Sequence, residues 1–448
     1  MAVACGERHI IAIDKNGHLF GFGDARFGNL GNGLAGEYER IDVPVPVGID
    51  VPVPVRQVAT EEKHTGIVTE AGDLLMCGEG FYGKLGLGDS DNRKTPTLVP
   101  RTVFDGKAVL MVACGEEHTA TLIEGGGVYT FGYGKHGQLG HGDDYKRMVP
   151  TQVPMAMFNG ERIVMVATGR RHTVALSETG HVFTWGRAYY GQLGHGDTRD
   201  RLVPTLLDAR QFGNEKVVFV AAGQDSTVAV TAGGQLFTWG NGWSGQLGHG
   251  SKDKWHVPTL VRTFGVAGGR RVVMAACGGG HTLVVTEDGA LWACGYGYYG
   301  QLGLNSRADR HKFERVRAGA FGGAKVVTVA AGSFHSAAVT EDGALWTWGW
   351  GDNGQLGIDP RIRTIDIPSP ISVNGLARTI DIPRRVSIGH LQRWMTEEEK
   401  KAFRESSRGR RLFVELHNLI ISHRENMQRS AQVKVDKLLY DQKFMKSL

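Results

Sequence analysis

No stretch of this 448-residue chain approaches 18 consecutive apolar residues, which excludes a membrane-spanning helix in the sequence. The first fifteen residues lack the basic-then-apolar layout of a secretory signal. Cysteine is scarce, five in all, and no two cysteines have the spacing of zinc ligands, which argues against a metal site. An odd count favours free thiols over a disulfide framework, so an intracellular compartment is expected, with cytoplasm, cytoskeleton or cilium, and nucleus not distinguished. Excess charge is missing from most of the chain. Residues 391–448 hold 13 Lys+Arg against 8 Asp+Glu, leaving 38 of each for everything before them, so the whole net charge of +5 sits in the tail.

Glycine, by contrast, is abundant, with 65 copies, and most of them recur at fixed intervals. The tetrapeptide Gly-x-Leu-Gly occurs at 28–31, 83–86, 137–140, 191–194, 245–248, 300–303 and 354–357. Upstream of each lies one landmark: His9, His64, His118, His172, Ser226, His281 and His335. Successive landmarks are 55, 54, 54, 54, 55 and 54 residues apart, and each precedes the last glycine of its tetrapeptide by 22 residues. The chain is a seven-fold tandem repeat.

Within residues 112–142, short apolar runs at 112–115, 118–123 and 128–131 are bounded by glycine, and a fourth, weaker strand is expected after Pro150. Four short antiparallel strands per repeat, seven times, predict an all-β fold: a seven-bladed β-propeller spanning residues 1–390. A strand solenoid would need atypical capping repeats, and repeats one and seven look ordinary. The cysteines fit the repeat. Cys5, Cys114 and Cys277 share one position; Cys77 and Cys294 share another, where other copies carry Phe22, Phe131, Trp185, Trp239 and Trp348.

The chain opens directly on the innermost-strand motif at 2–6, so the first strand of repeat one is expected to be short or borrowed. Counting 22 residues on from Pro368 reaches His390, preceded by RRVSIG at 384–389, and a closing strand is expected over about 379–389, paired in the blade of residues 2–13. The duplicated RTIDIP at 363–368 and 378–383 has no physical account. After about residue 391 the period stops. Thr396 before three glutamates reads as a helix N-cap, and Leu412, Leu416, Leu419 and Ile420 form an apolar stripe. A basic helical extension over 391–448 is expected, its stripe a second contact for a partner.

Six histidines at one repeat position are expected to build the blade by bonding neighbouring backbone, with Ser226 doing a weaker version of the task. Gly-x-Gly-x-x-Gly at 132–137 matches a dinucleotide fingerprint, yet no helix follows it and it recurs in other repeats, so these are turn glycines. No cofactor is expected. Antiparallel alternation places two sets of loops on one face of the disc. The pairs before the landmarks are Glu7/Arg8, Glu62/Lys63, Glu116/Glu117, Arg170/Arg171, Gln224/Asp225, Gly279/Gly280 and Ser333/Phe334. The second set carries Phe27, Phe81/Tyr82, Lys135/His136, Tyr189/Tyr190, Trp243, Tyr298/Tyr299 and Asp352/Asn353. A charged inner ring within an aromatic rim has the composition of a protein-binding face.

The pattern V-A-C-G-x-x-H-T, followed by the aromatic strand and G-x-G-x-x-G-Q-L-G-H-G-D, resembles the RCC1 repeat over about residues 1–390. That resemblance implies a propeller family that includes GTPase exchange factors, a plant ultraviolet receptor, parts of ubiquitin ligases and kinases, and adaptors. In the exchange factor for the GTPase Ran, acidic residues of the pre-landmark pairs contact the GTPase; the matching positions here include Glu62, Glu116, Glu117 and Asp225. This chain lacks that factor's protruding hairpin and basic N-terminal arm, and lacks the pre-landmark tryptophans of the ultraviolet receptor. The function expected is therefore a non-enzymatic interaction or scaffold module docking into a larger assembly, cytoskeletal, ciliary or ribonucleoprotein in kind. The alternative is a guanine-nucleotide exchange factor for a Ran-like small GTPase. Nucleic acid is not favoured, because the basic tail is diluted by acids, and no membrane partner is expected.

Overall fold

The glycine-bounded runs become strands, and the positions of the glycines explain why. Gly132, for example, has φ +108°, and a Cβ there would stand 2.5 Å from the Glu117 carbonyl oxygen, so the chain can turn this closely only without a side chain. A computed structural model describes residues 2–33, 40–48, 54–264, 270–359 and 361–371. Among them are seven four-stranded sheets, each a simple antiparallel meander in chain order. Blade 1 comprises Ala2–Cys5, His9–Ile13, Leu19–Asp24 and Arg40–Pro46. Blade 3 comprises Val109–Cys114, His118–Ile123, Val128–Gly132 and Arg147–Gln152, and blade 4 Ile163–Thr168, His172–Ser177, Val182–Gly186 and Arg201–Leu206. The remaining blades begin at Val55, Val217, Val272 and Val326, and blade 7 ends with Thr364–Ile371.

The fourth strand runs through the proline instead of after it. Pro150 lies inside Arg147–Gln152, the outermost strand, where pairing with Val128–Gly132 shifts register between Thr130 and Gly132. An edge strand with an interrupted ladder tolerates a residue that has no N–H to donate.

Burial divides the strands by rank. The landmark strand is buried along its whole length in every blade, as in His118–Ile123, whereas the outermost strand exposes part of its residues. The core lies between blades. Ala120, Leu122 and Val128 of blade 3 pack with Ile163, Ala175, Phe183 and Trp185 of blade 4, and Phe158, from the short 3-10 turn joining the two blades, plugs the gap. Phe158 meets Phe183 and Trp185 edge-on, with centroids 5.5 and 5.9 Å apart. Phe212 and Phe321 repeat this plug against Trp239 and Trp348. All five cysteines are unpaired, and burial pushes the Cys77 and Cys277 thiols up to about 12.

Blade 7 meets blade 1, so the ring is closed. Arg40 of blade 1 donates to the Asp352 carbonyl at 2.8 Å, Arg8 stands over the Trp350 ring at 5.6 Å, and Gly357 packs against Phe22. Blade 1 draws all four of its strands from residues 2–46, although its first strand has four residues where blades 3 to 7 have six. The closing strand expected at 379–389, the boundary near 390 and the helical extension with Leu412, Leu416, Leu419 and Ile420 lie outside the described residues.

Candidate protein-interaction face

The landmark histidines join blade to blade. His118 Nε2 is 2.9 Å from Thr173 Oγ1, whose hydroxyl donates to the Gln138 carbonyl at 2.8 Å. That carbonyl also accepts the Trp185 indole N–H at 2.9 Å. Since a carbonyl can only accept, the threonine's single proton is committed to it, and the hydroxyl accepts from the histidine. Nε2 therefore carries the proton, and Nδ1 is bare and buried without a partner. The same relay joins His64 to Thr119, His172 to Thr227 and His281 to Ser336 at 3.0, 3.0 and 2.8 Å. Between blades 1 and 2, His9 bonds Thr60, with Thr65 3.4 Å away. The expected partner was neighbouring backbone; the observed one is a hydroxyl of the next blade, and the backbone carbonyl comes one step later. Burial holds His118, His172 and His281 down at about 3 and His9 at about 4.

Two junctions depart. Ser226 is too short to bridge, and among the described residues its hydroxyl makes no bond to blade 6, so the weaker version expected of it is not made. At the last junction Ile10 occupies the threonine position, and among the described residues His335 meets no hydroxyl of blade 1; its ring lies against the His9 backbone instead.

Both predicted loop sets do lie together. Lys63, before the blade 2 landmark, stands 5.1 Å from the Phe27 ring of blade 1, and Phe334 of blade 7 meets Tyr299 of blade 6 at 5.3 Å. The inner ring is mostly self-neutralised. Arg8 pairs with Glu7 and Lys63 with Glu62, both at 3.1 Å. Arg170 pairs with Glu116, and Arg171 with Glu117 at 3.2 Å. Gln224 reaches past the side-chain-free pair Gly279/Gly280 to donate to Ser333 Oγ at 3.1 Å, tying blade 5 to blade 7. Asp225 is raised by burial, which outweighs the pull of Arg170 and Arg187.

The rim divides by loop position. In blades 2, 4, 5 and 6 the first residue of the pair points outward: Phe81, Tyr189 and Trp243 are each 55% exposed and Tyr298 61%. The second is half-buried and packs towards the next blade, Tyr82 on Tyr133 at 4.4 Å and Tyr190 on Trp243 at 5.2 Å.

Sequence reasoning passed over several residues that break the repeat. Glu61 stands where every other blade has a glycine (Gly6, Gly115, Gly169, Gly223, Gly278 and Gly332) at the inner mouth of the ring. Burial first, then Glu62, Glu116 and Glu7, push its carboxyl up to about 8. Lys84 replaces the glutamine of Gly-Gln-Leu-Gly and is buried, its ammonium 2.6 Å from Glu79. Asn29 replaces the same glutamine in blade 1. It lines a crevice of about 300 Å³ together with Phe27, Arg26 and Lys63. A departure from the repeat at a fixed position was the signal available for all three.

A closed seven-bladed ring, bonded blade to blade and carrying one charged face with an aromatic rim, belongs to the class of protein-interaction or regulatory propellers. More narrowly, the chain belongs to the RCC1-like family: the RCC1-like domain matches residues 146–402, and the regulator of chromosome condensation (RCC1) repeat matches residues 71–122 and 2–29. The ultraviolet-B receptor UVR8 of Arabidopsis thaliana is 37% identical over 316 residues, covering 69% of this chain and 68% of the receptor. The human E3 ubiquitin-protein ligase HERC2 is 34% identical over 353 residues, 78% of this chain but 7% of the ligase. Yeast RCC1 (Prp20), in its crystal structure with Kap60, superposes with a TM-score of 0.71 at 23% identity, over 82% of this chain and 86% of that one, and shares the fold. Among the described residues no helix is long and apolar enough to cross a membrane.

Proposed function

We propose that this propeller is a non-enzymatic interaction module whose charged, aromatic-rimmed face docks a protein partner within a larger assembly. The observation that carries the reading is the outward set of Phe81, Tyr189, Trp243 and Tyr298, more than half exposed around an inner ring that is mostly ion-paired. Large rings left in water are costly unless something covers them, and aromatic residues are the side chains that anchor interfaces. The stripe Leu412, Leu416, Leu419 and Ile420 is proposed as a second contact. Affinity purification with cross-linking tests the reading. Cross-links should concentrate on this face, and Phe81→Ala with Tyr298→Ala should reduce partner recovery; recovery unchanged by any face substitution would remove the proposal.

A second reading, exchange on a Ran-like small GTPase, is favoured by the placement of Glu62, Glu116, Glu117 and Asp225 on one face. Three of the four already hold a lysine or arginine of this chain, which lowers their availability to a nucleotide site. Little acceleration of fluorescent-GDP release from Ran is therefore expected. Turnover abolished by Glu116→Ala and Asp225→Ala would reverse the ranking.

A further inference from the structure

Two cations on this face differ from their neighbours. Arg8, Lys63, Arg170 and Arg171 are each met by a carboxylate. Among the described residues, the Arg187 guanidinium and the Lys254 ammonium stand in no ion pair and donate no side-chain hydrogen bond; both lie over aromatic rings, and Arg187 also acts at longer range on the buried Asp225 carboxyl. Lys254 Nζ lies 4.9 Å from the centroids of Tyr190 and Trp243 and 5.3 Å from that of Tyr189. Arg187 Cζ lies 5.3 Å from the same Tyr189 ring, so one tyrosine carries both charges.

The repeat position of Lys254 is basic in blades 3 and 7 as well, as Lys146 and Arg363, but among the described residues only Lys254 is held there over aromatic rings. The equivalent residue in blades 2, 4 and 6 is Asn92, Asp200 or Asp309. Each accepts the backbone N–H of the facing loop, from Gly80 at 3.0 Å, Ala188 at 2.8 Å and Gly297 at 3.0 Å. Lysine has no acceptor to offer, so blade 5 forgoes that bond and holds an ammonium over three rings. Rings orient a cation without neutralising it, which leaves its N–H donors and its charge for another molecule. Lys135, exposed on the matching loop of blade 3, adds a third positive charge on the side of Arg187.

We propose that Arg187 and Lys254, held on Tyr189, Tyr190 and Trp243, form the docking point for an acidic linear segment of the protein partner. Carboxylates of that segment meet the two cations, and the outward rings of Tyr189 and Trp243 cover its apolar atoms. The inference rests on the face being a protein interface. Charge complementarity selects the occupant: among the described residues these cations, with Lys135, stand in no ion pair on a face whose other charges are mostly matched in place. A nucleic acid is disfavoured there. The cations already lie over the rings on which bases would stack.

The test is fluorescence anisotropy on the full chain with fluorescein-labelled octaglutamate, in parallel with octalysine and a short oligothymidine. Octaglutamate is expected to bind, to weaken as salt rises, and to lose at least about tenfold in affinity in Arg187→Ala/Lys254→Ala. Lys254→Arg should retain binding, and Lys325→Ala, on the opposite face, should match the parent. Equal octaglutamate binding by parent and double variant, or tighter binding of oligothymidine, would overturn the assignment. The two levels separate cleanly. Partner recovery that survives the Arg187/Lys254 double variant but falls in Phe81→Ala/Tyr298→Ala removes this docking point and leaves the interface standing.

Discussion

In blades 3, 4 and 5 the threonine after the landmark position, and in blade 7 Ser336, does two jobs with one hydroxyl. In blade 4, Thr173 accepts from His118 and donates to Gln138, so removing its oxygen strands a buried N–H. Thr173→Val keeps the shape and should cost about 1–3 kcal/mol, read as a lower urea midpoint with an unchanged m-value. A midpoint equal to the parent's would show that the relay adds nothing to stability. The histidines also set a pH dependence. Their folded values of about 3 to 4 lie below the ordinary 6.5, so the unfolded chain takes up protons that the folded chain refuses. This contribution is complete above about pH 6.5 and is lost as pH falls towards 3, by up to about 1.4 kcal/mol per pH unit for each histidine. Thermal midpoints should drop between pH 6.5 and 5, above the range in which depressed carboxylates such as Asp197, at about 2, begin to titrate. A flat profile over that window would contradict the buried, neutral assignment.

At the scale of the blade, Ser226 offers a repair. Blade 5 keeps Gly223, the position that in other blades leaves room for the histidine ring, and Thr282 already donates to the Gln246 carbonyl at 2.8 Å. Ser226→His should therefore complete the relay between blades 5 and 6 and add about 1 kcal/mol, seen as a rise of a few degrees in Tm. A fall in Tm would mean that the pocket has closed around serine.

Legibility in the amino-acid sequence differs from element to element. The blades were legible because one spacing recurs seven times, and each apolar run is cut to strand length by glycines such as Gly132 that admit no side chain. The interblade plugs were not: Phe104, Phe158, Phe212 and Phe321 each lie 14 residues before their landmark, but a lone aromatic in a connecting turn has no strand alternation to say which neighbour it packs against. Proline misplaced the fourth strand, because Pro150 reads as a boundary although an outer edge can absorb it. For the face, the loops and their residue types were legible, but not their pairing. That Arg170 holds Glu116 while Arg187 holds no carboxylate depends on which blade's side chain reaches which neighbour, and a repeat alignment carries no such information.

For the whole molecule, the seam between blades 7 and 1 is one of two junctions without the relay. Ile10 replaces the threonine, so His335 meets no hydroxyl of blade 1, and Phe22, like Cys77, Phe131 and Cys294, lacks the indole bond that Trp185, Trp239 and Trp348 donate to the preceding blade. Hydrogen exchange should accordingly reach the strands of blades 1 and 7, Ala2–Cys5 and Val326–Ala331 first, before those of blades 3 and 4. Exchange that spreads evenly around the ring, or begins in blade 4, would show that the seam is held as well as the other junctions.

The relay has a mechanical reading too. Its hydrogen bonds run around the circumference as a hoop, and the hoop is broken twice, at Ser226 and at His335. What remains is two arcs, one of five blades and one of two, each strapped internally by the relay and joined to the other by apolar packing and by bonds outside the relay, such as Gln224 to Ser333, Thr282 to Gln246 and Arg40 to Asp352. Under tension the molecule should thus part at the joins, as a clasp opens, and yield as two pieces of unequal size instead of seven equal ones.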